Sequence, residues 1–269
     1  MATSRAPLRF AEAVSVTVSA AAKSGFFFDF DGTLAPVTRD PGAVVPVAGA
    51  LERLAALSRL VGRVAVVSAR PVAFLCERFA QLPAVRLYGL DGLQTVAGGE
   101  IRTDREAEPW APVMRRLAEE AARELPRGVQ VEDRGLMVAL HYRAAPGARG
   151  AVERWASARA ARLGLTEQLG RMVVELRPPV RRDLGTVVGE ESAGLVTAWY
   201  FGDDLPDARA FEALRERERR DPAFAGVRVA VADSETGDEL ARRADLALGS
   251  PAEIPMLLDQ VIRAFAGRQ

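Results

Sequence analysis

The sequence is poor in the residues that most often announce a function. It holds one histidine, one cysteine and one lysine, Lys23, so that 35 of its 36 basic residues are arginine. With Cys76 alone, a disulfide within the chain is excluded and a reducing compartment fits. Its apolar helical surroundings mark it as an inert core thiol. No lysine other than Lys23 is available for a catalytic role. Net charge is missing as well: 36 acidic residues balance 36 basic ones, and the pI is near 6.7. Nothing therefore points to a nucleic-acid or membrane surface. No apolar run approaches transmembrane length. Ala13 to Ala22 faintly resembles a secretory signal, yet it leads almost directly into a core strand and is expected as a helix or a frayed tail. Repeats and low-complexity tracts are absent. A cytoplasmic protein is expected, monomeric in the simplest case, with a dimer left open.

What remains is ordinary for a globular chain: 269 residues, 49% hydrophobic and 27% charged, enough for one large domain or two small ones. Phe26-Phe27-Phe28 reads as a strand buried on both faces. A helix over Pro46 to Leu60, a strand over Arg63 to Val67, a helix over Pro71 to Ala80 and a strand over Val85 to Tyr88 follow. This order predicts a doubly wound α/β core. The pattern then changes. Helices over Pro109 to Leu125 and Gly147 to Leu163 alternate with strands over Val129 to Arg134, Leu136 to Arg143 and Arg171 to Arg177, which predicts a small α+β unit. Pro178-Pro179 makes a stiff break. Strands over Ala198 to Phe201, Val227 to Ala232 and Asp245 to Leu248 then resume the parallel pattern, and the charged stretch Arg209 to Arg220 is a solvated helix face. The expected organisation is a core of residues 1–102 and 179–269 interrupted by an inserted cap, 103–178.

The first strand ends in Asp29-Phe30-Asp31-Gly32-Thr33-Leu34. Ligands of an open parallel sheet sit at the carboxyl ends of its strands. Two acids there repel each other unless a cation lies between them or one holds a proton. Such a pair suits a divalent metal, an anionic substrate and covalent phosphoryl chemistry, one carboxylate as nucleophile and the other as acid and base. Asp-x-Asp-Gly alone is more often a turn or a calcium loop; the buried strand before it argues otherwise. Thr33 offers a hydroxyl to a phosphate. Ser68-Ala69-Arg70 closes the second strand with a hydroxyl and a guanidinium, an anion-binding pair or a mere helix cap. Tyr200-Phe201-Gly202-Asp203-Asp204-Leu205-Pro206-Asp207 repeats the opening logic, with acids able to complete a cation's oxygen shell. Asp203 is the best direct ligand.

The string Asp-Phe-Asp-Gly-Thr-Leu resembles the first motif of haloacid-dehalogenase-like phosphohydrolases, and Ser68 and Asp203 fall where later motifs belong. Val131-Glu132-Asp133-Arg134, Ala139 to Arg143 and Val174 to Pro179 resemble the cap of trehalose-6-phosphate phosphatases. So does the stretch from Ala244-Asp245-Leu246 to Ser250-Pro251. The resemblance implies a Rossmann-like haloacid-dehalogenase core with an α+β cap, and a Mg²⁺-dependent phosphatase acting on trehalose 6-phosphate. It makes Asp29 the nucleophile, Asp31 the acid and base, and Asp29, Asp31, Asp203, Asp204 and Asp207 the metal site. It also makes Glu132, Arg134, His141, Arg143 and Glu175 candidates for sugar contacts.

Three positions depart from the family's pattern. Leu184 stands where a lysine is usual, Ala69 where a glycine is usual and Gln94 where a glutamate is usual. The lysine matters most, because that cation neutralises nucleophile and phosphate together; Arg181 or Arg182 is the candidate to replace it. Two alternatives stay open: a phosphatase for another sugar or pseudo-disaccharide phosphate, and a degenerate sugar-phosphate-binding protein without turnover.

Overall fold

The computed structural model describes residues 10–38, 41–170, 172–232 and 239–267. Helix α1 (Phe10–Ser19) covers much of the apolar stretch expected as a helix and leads into strand β1 (Ser24–Phe28). Next come α2 (Ala50–Leu60), β2 (Arg63–Val67), α3 (Val72–Arg78) and β3 (Arg86–Gly89). The hairpin β4 (Gln94–Ala97) and β5 (Glu100–Thr103) follows. A second unit begins with α4 (Ala111–Glu124), β6 (Gln130–Asp133), β7 (Val138–His141), α5 (Arg149–Leu163), β8 (Thr166–Gly170) and β9 (Val173–Arg177). The chain returns through α6 (Leu184–Glu191), β10 (Thr197–Gly202), α7 (Ala208–Arg220), β11 (Ala225–Val231), β12 (Leu246–Leu248) and α8 (Ile254–Ala266).

The main sheet has the order β12-β11-β10-β1-β2-β3-β4-β5. From β12 to β3 all neighbours are parallel, as the alternating pattern predicts, while β4 and β5 add an antiparallel edge. This hairpin extends the expected parallel core, and its turn, Gly98-Gly99 with both φ positive, is a hairpin signal in its own right. Strand β1 is buried on both faces. Phe26 and Phe28 join one apolar layer with Leu54, Leu57 and Leu258, and Phe27 joins the other with Leu184, Val187 and Phe211. Cys76 packs half-buried against the first layer, an inert position. The chain builds outward from β1 in one direction through β2 and β3, then in the other through β10 to β12. The crevice where that direction reverses, between β1 and β10, is where such sheets bind ligands.

The second unit is a four-stranded antiparallel sheet, β6-β7-β9-β8, backed by α4 and α5. It has one more strand than the pattern predicts. In Thr166–Gly170 the one buried position is the polar Gln168 and the apolar Leu169 is exposed, so the strand has no recognisable apolar alternation. Residue 171, the expected start of the last strand, lies outside the described residues. Val138, Leu140, Val174 and Leu176 face the helices, and the period of two turns Glu132, His141, Gln168 and Glu175 to the opposite face. The α7 segment buries Ala210, Phe211 and Leu214 and keeps the pairs of Arg219 and Arg220 with Glu212 and Glu216 outside, while Glu218 pairs with the buried Arg228 at 2.6 Å. No helix among the described residues is long and apolar enough to cross a membrane.

Candidate active site

Strand register brings the two acidic loops together. Phe28 lies opposite Phe201 in the parallel pair, and the Asp29 N–H donates to the Phe201 carbonyl at 2.9 Å. The loops after β1 and β10 therefore leave the sheet side by side. Gly32 permits this, because with φ +88° a Cβ there would sit 2.1 Å from Asp203 Oδ2. Any larger residue would displace the Asp203 carboxylate.

Asp29, Asp203 and Asp207 offer carboxylate oxygens that all lie within 4.8 Å of one another. Burial raises the Asp29 pKa well above the ordinary carboxylate value, and the charges of Asp207, Asp203 and Asp31 push it the same way. Burial also lifts Asp207 to about 6, against hydrogen bonds from the Tyr200 hydroxyl and the Asp204 and Asp203 N–H groups. Three acids that repel in this way, Asp203 and Asp207 buried and Asp29 half-buried, are all hard oxygen donors and fit a divalent cation between them. Their availability differs. Asp207 Oδ1 accepts from Tyr200 at 2.7 Å, and Oδ2 from the N–H groups of Asp203 and Asp204 at 2.9 and 3.0 Å, so this residue braces the loop. Asp204 Oδ1 accepts from the Leu205 N–H and caps the turn that opens α7.

Two residues expected at the site have protein partners of their own here. The Asp31 side chain does not join the acid cluster: Arg70 Nε and Nη2 each donate to one of its oxygens at 2.7 Å. Thr33 is fully buried, and its hydroxyl donates to Asp203 Oδ1 at 3.3 Å, so it braces a cluster acid. Ser68 lines the cleft and accepts the Arg70 N–H at 3.2 Å.

The position of the missing lysine is apolar. Leu184, the first residue of α6, lines the cleft as a buried apolar side chain. Arg182 turns elsewhere, donating to the Gly92 carbonyl at 2.9 Å and pairing with Glu190 at 2.8 Å. Arg181 is exposed and is not among the cleft-lining residues. Neither arginine is among the residues that line the cleft beside the acids.

The second sheet roofs the site. Glu132, Ala139, Glu175 and Gln168 stand opposite one another across β6, β7, β9 and β8. The small Ala139 lets Arg134 reach both flanking acids, Glu132 at 2.8 Å and Glu175 at 2.6 Å. Burial raises the Glu132 pKa, but the His141 hydrogen bond and the charges of Arg134 and Arg70 outweigh it and hold it well below the usual range. For Glu175 burial wins over Arg134, and its pKa is raised. Arg134 Nη1 also donates to the Ala69 carbonyl at 3.1 Å, and Arg70 lies 3.7 Å from Glu132, so roof and floor are tied by charge. Between them lies a cavity of about 530 Å³, within the usual range for small-molecule sites. His141, Arg143, Arg134 and Glu175 line it together with Asp29, Asp31 and Asp203. Asp91 and Gln168 line it too, though sequence reasoning did not single them out; an acid just beyond the β3 strand end was the available signal.

Comparison with known proteins agrees with this geometry. The trehalose-phosphatase family model matches residues 27–245. A trehalose-phosphate phosphatase of Mycobacterium avium is 36% identical over 239 residues, 84% of this chain and 59% of that protein. The chain thus spans about three fifths of the length of such relatives. Among solved structures, the C-terminal domain of Candida albicans trehalose-6-phosphate phosphatase superposes with a TM-score of 0.79 at 20% identity, covering 97% of this chain and 99% of that one. A sugar phosphatase of HAD subclass IIB gives 0.56 at 14% identity, covering 88% and 98%. These two show the shared fold: a doubly wound haloacid-dehalogenase-like core with an inserted α+β cap.

Proposed function

Because the chain belongs to the trehalose-phosphatase family, we propose that it hydrolyses trehalose 6-phosphate to trehalose and phosphate, with Mg²⁺ as its metal. The observation that carries the reading is the convergence of Asp29, Asp203 and Asp207 beneath a roof of polar side chains. A divalent cation held by Asp29 and Asp203, with Asp207 bracing the loop, would offset the repulsion between carboxylate and phosphate. The Asp29 oxygen attacks phosphorus, forming an aspartyl-phosphate as the bond from phosphorus to the sugar oxygen breaks. Asp31 gives its proton to that leaving oxygen. It then takes a proton from the water that attacks the aspartyl-phosphate, and the Asp29 carboxylate is released with inorganic phosphate. Arg70 grips both Asp31 oxygens, so it must release one for a proton to sit there; an incoming phosphate offers the guanidinium a second bidentate partner. Ser68 would donate to the same phosphate, and Arg134, His141, Arg143 and Glu175, which line the cavity, would receive the disaccharide, with Glu132 holding Arg134 and His141. One chain supplies all these groups, so a monomer suffices.

Leu184 bears on rate. Without a cation at that position the proposed chemistry is slow, since one preorganised donor is commonly worth about 10²–10³ in rate. The test is phosphate release from trehalose 6-phosphate with Mg²⁺, against Asp29→Asn. Release that vanishes in the variant supports the reading. Release no greater than that of the variant rejects it and favours binding without turnover.

A further inference from the structure

The turn after β3 is built in a conformation few side chains tolerate. Leu90, Asp91 and Gly92 have φ of +51°, +53° and +93°, three left-handed residues in succession. Hydrogen bonds from the Leu90 N–H to the Arg70 carbonyl at 2.8 Å and from the Asp91 N–H to the Ser68 carbonyl at 2.9 Å pin it beside the anion-binding loop. Strain of this kind persists where the surroundings over-determine it, and it gathers at functional sites. Here it delivers the Asp91 carboxylate, 1% exposed, to the cleft wall.

The two oxygens of that carboxylate differ. Oδ2 accepts from Arg177 Nη1 at 2.7 Å and from Gln168 Nε2 at 3.5 Å, both on the roof sheet. Oδ1 is buried and has no hydrogen-bond partner among the described residues. Arg134 lines the same cleft, and its Nε is likewise buried without a hydrogen-bond partner among the described residues. The two residues belong to one network, since Gln168 and Arg134 both hydrogen-bond Glu175. Buried polar groups are nearly always paired, so an acceptor and a donor left over in one cleft call for a ligand. The dianion of a phosphate ester has no proton to donate and would be repelled by Asp91. A hydroxyl donates one bond and accepts others, matching an acceptor and a donor in one place.

We propose that Asp91 is a specificity-determining residue whose Oδ1 accepts a hydrogen bond from a hydroxyl of the sugar part of the substrate. The proposal rests on reading the cleft as a disaccharide-phosphate site. Asp91→Asn tests it, since asparagine is among the residues that best tolerate left-handed backbone. Asp91→Gly, which suits that backbone better still, replaces it if the first variant does not fold. The expected result is at least a tenfold fall in the ratio of kcat/KM for trehalose 6-phosphate to kcat/KM for p-nitrophenyl phosphate, carried by KM. An unchanged ratio, whether both activities fall or neither does, overturns it and leaves Asp91 a structural partner of Arg177. Calorimetry with free trehalose gives a readout independent of turnover: the wild type binds and the variant binds at least tenfold more weakly. Equal binding, or none to the wild type, overturns the assignment. Trehalose binding without phosphate release would sink the phosphatase reading alone, and Asp91 is then judged on binding.

Discussion

Leu184→Lys should convert a slow enzyme into a faster one. Position 184 opens α6 on the cleft wall, within the same cavity as Asp29, Asp31 and Asp203. The leucine is 4% exposed and packs with Val187, Val188 and Phe27. A lysine stem covers much of that apolar surface while its ammonium reaches toward the acids, so the stability loss should stay below about 3 kcal/mol. At about 4 Å and an effective dielectric of about 20, one ammonium and one carboxylate attract by about 4 kcal/mol. That sets a ceiling of about 10³ in rate if the whole attraction is realised only in the transition state. Part of it is also present in the ground state, which leaves an expected gain of about 10² in kcat. The assay is phosphate release from saturating trehalose 6-phosphate in Mg²⁺. Leu184→Met serves as a control of similar volume without charge and should stay within about twofold of the wild type. If the lysine variant melts within a few degrees of the wild type and gains nothing, the missing cation does not limit this site and the electrostatic argument is wrong.

Gly32→Ala should cost about 1–2 kcal/mol in backbone strain alone and, by pushing Asp203 aside, weaken Mg²⁺ binding at least tenfold. Unchanged affinity by calorimetry would show that the loops do not need their close approach. In EDTA the acid cluster makes the fold weaken as pH rises. An acid whose folded pKa lies above its unfolded value binds protons more tightly when folded, so its stabilising effect at low pH is lost between about 4 and the folded value, about 6 for Asp207. That single group accounts for about 3 kcal/mol. Thermal melts in EDTA should therefore fall between pH 5 and pH 7, and Mg²⁺ should restore them most at pH 7. A flat or rising profile in EDTA would contradict the burial argument.

Much of the site is legible because each functional acid closes an apolar run. Asp29 follows three phenylalanines and Asp203 follows Trp199 to Gly202, so strand and carboxylate are read together. The doubly wound order is visible for the same reason, since strands buried on both faces need no alternation to be recognised. What hides is whatever depends on a distant partner. Asp31 reads as an unpartnered acid until Arg70, 39 residues later, is seen to grip both its oxygens. Thr33 looks aimed at phosphate, but Asp203, 170 residues away, claims its hydroxyl. Asp91 is a lone acid in a glycine-flanked turn, and Arg177 reaches it across 86 residues. Strand β8 escapes because only one of its five residues is buried.

The placement of β1 between β2 and β10 also has a consequence for synthesis. The triple-phenylalanine strand is made before its β10 neighbour, and one of its edges has no partner until the chain has made the whole roof and returned. For that interval a flat, greasy row of unpaired amides is open to any passing copy. Nascent chains stalled within the roof should therefore clump, whereas chains carried past Gly202 should stay dispersed.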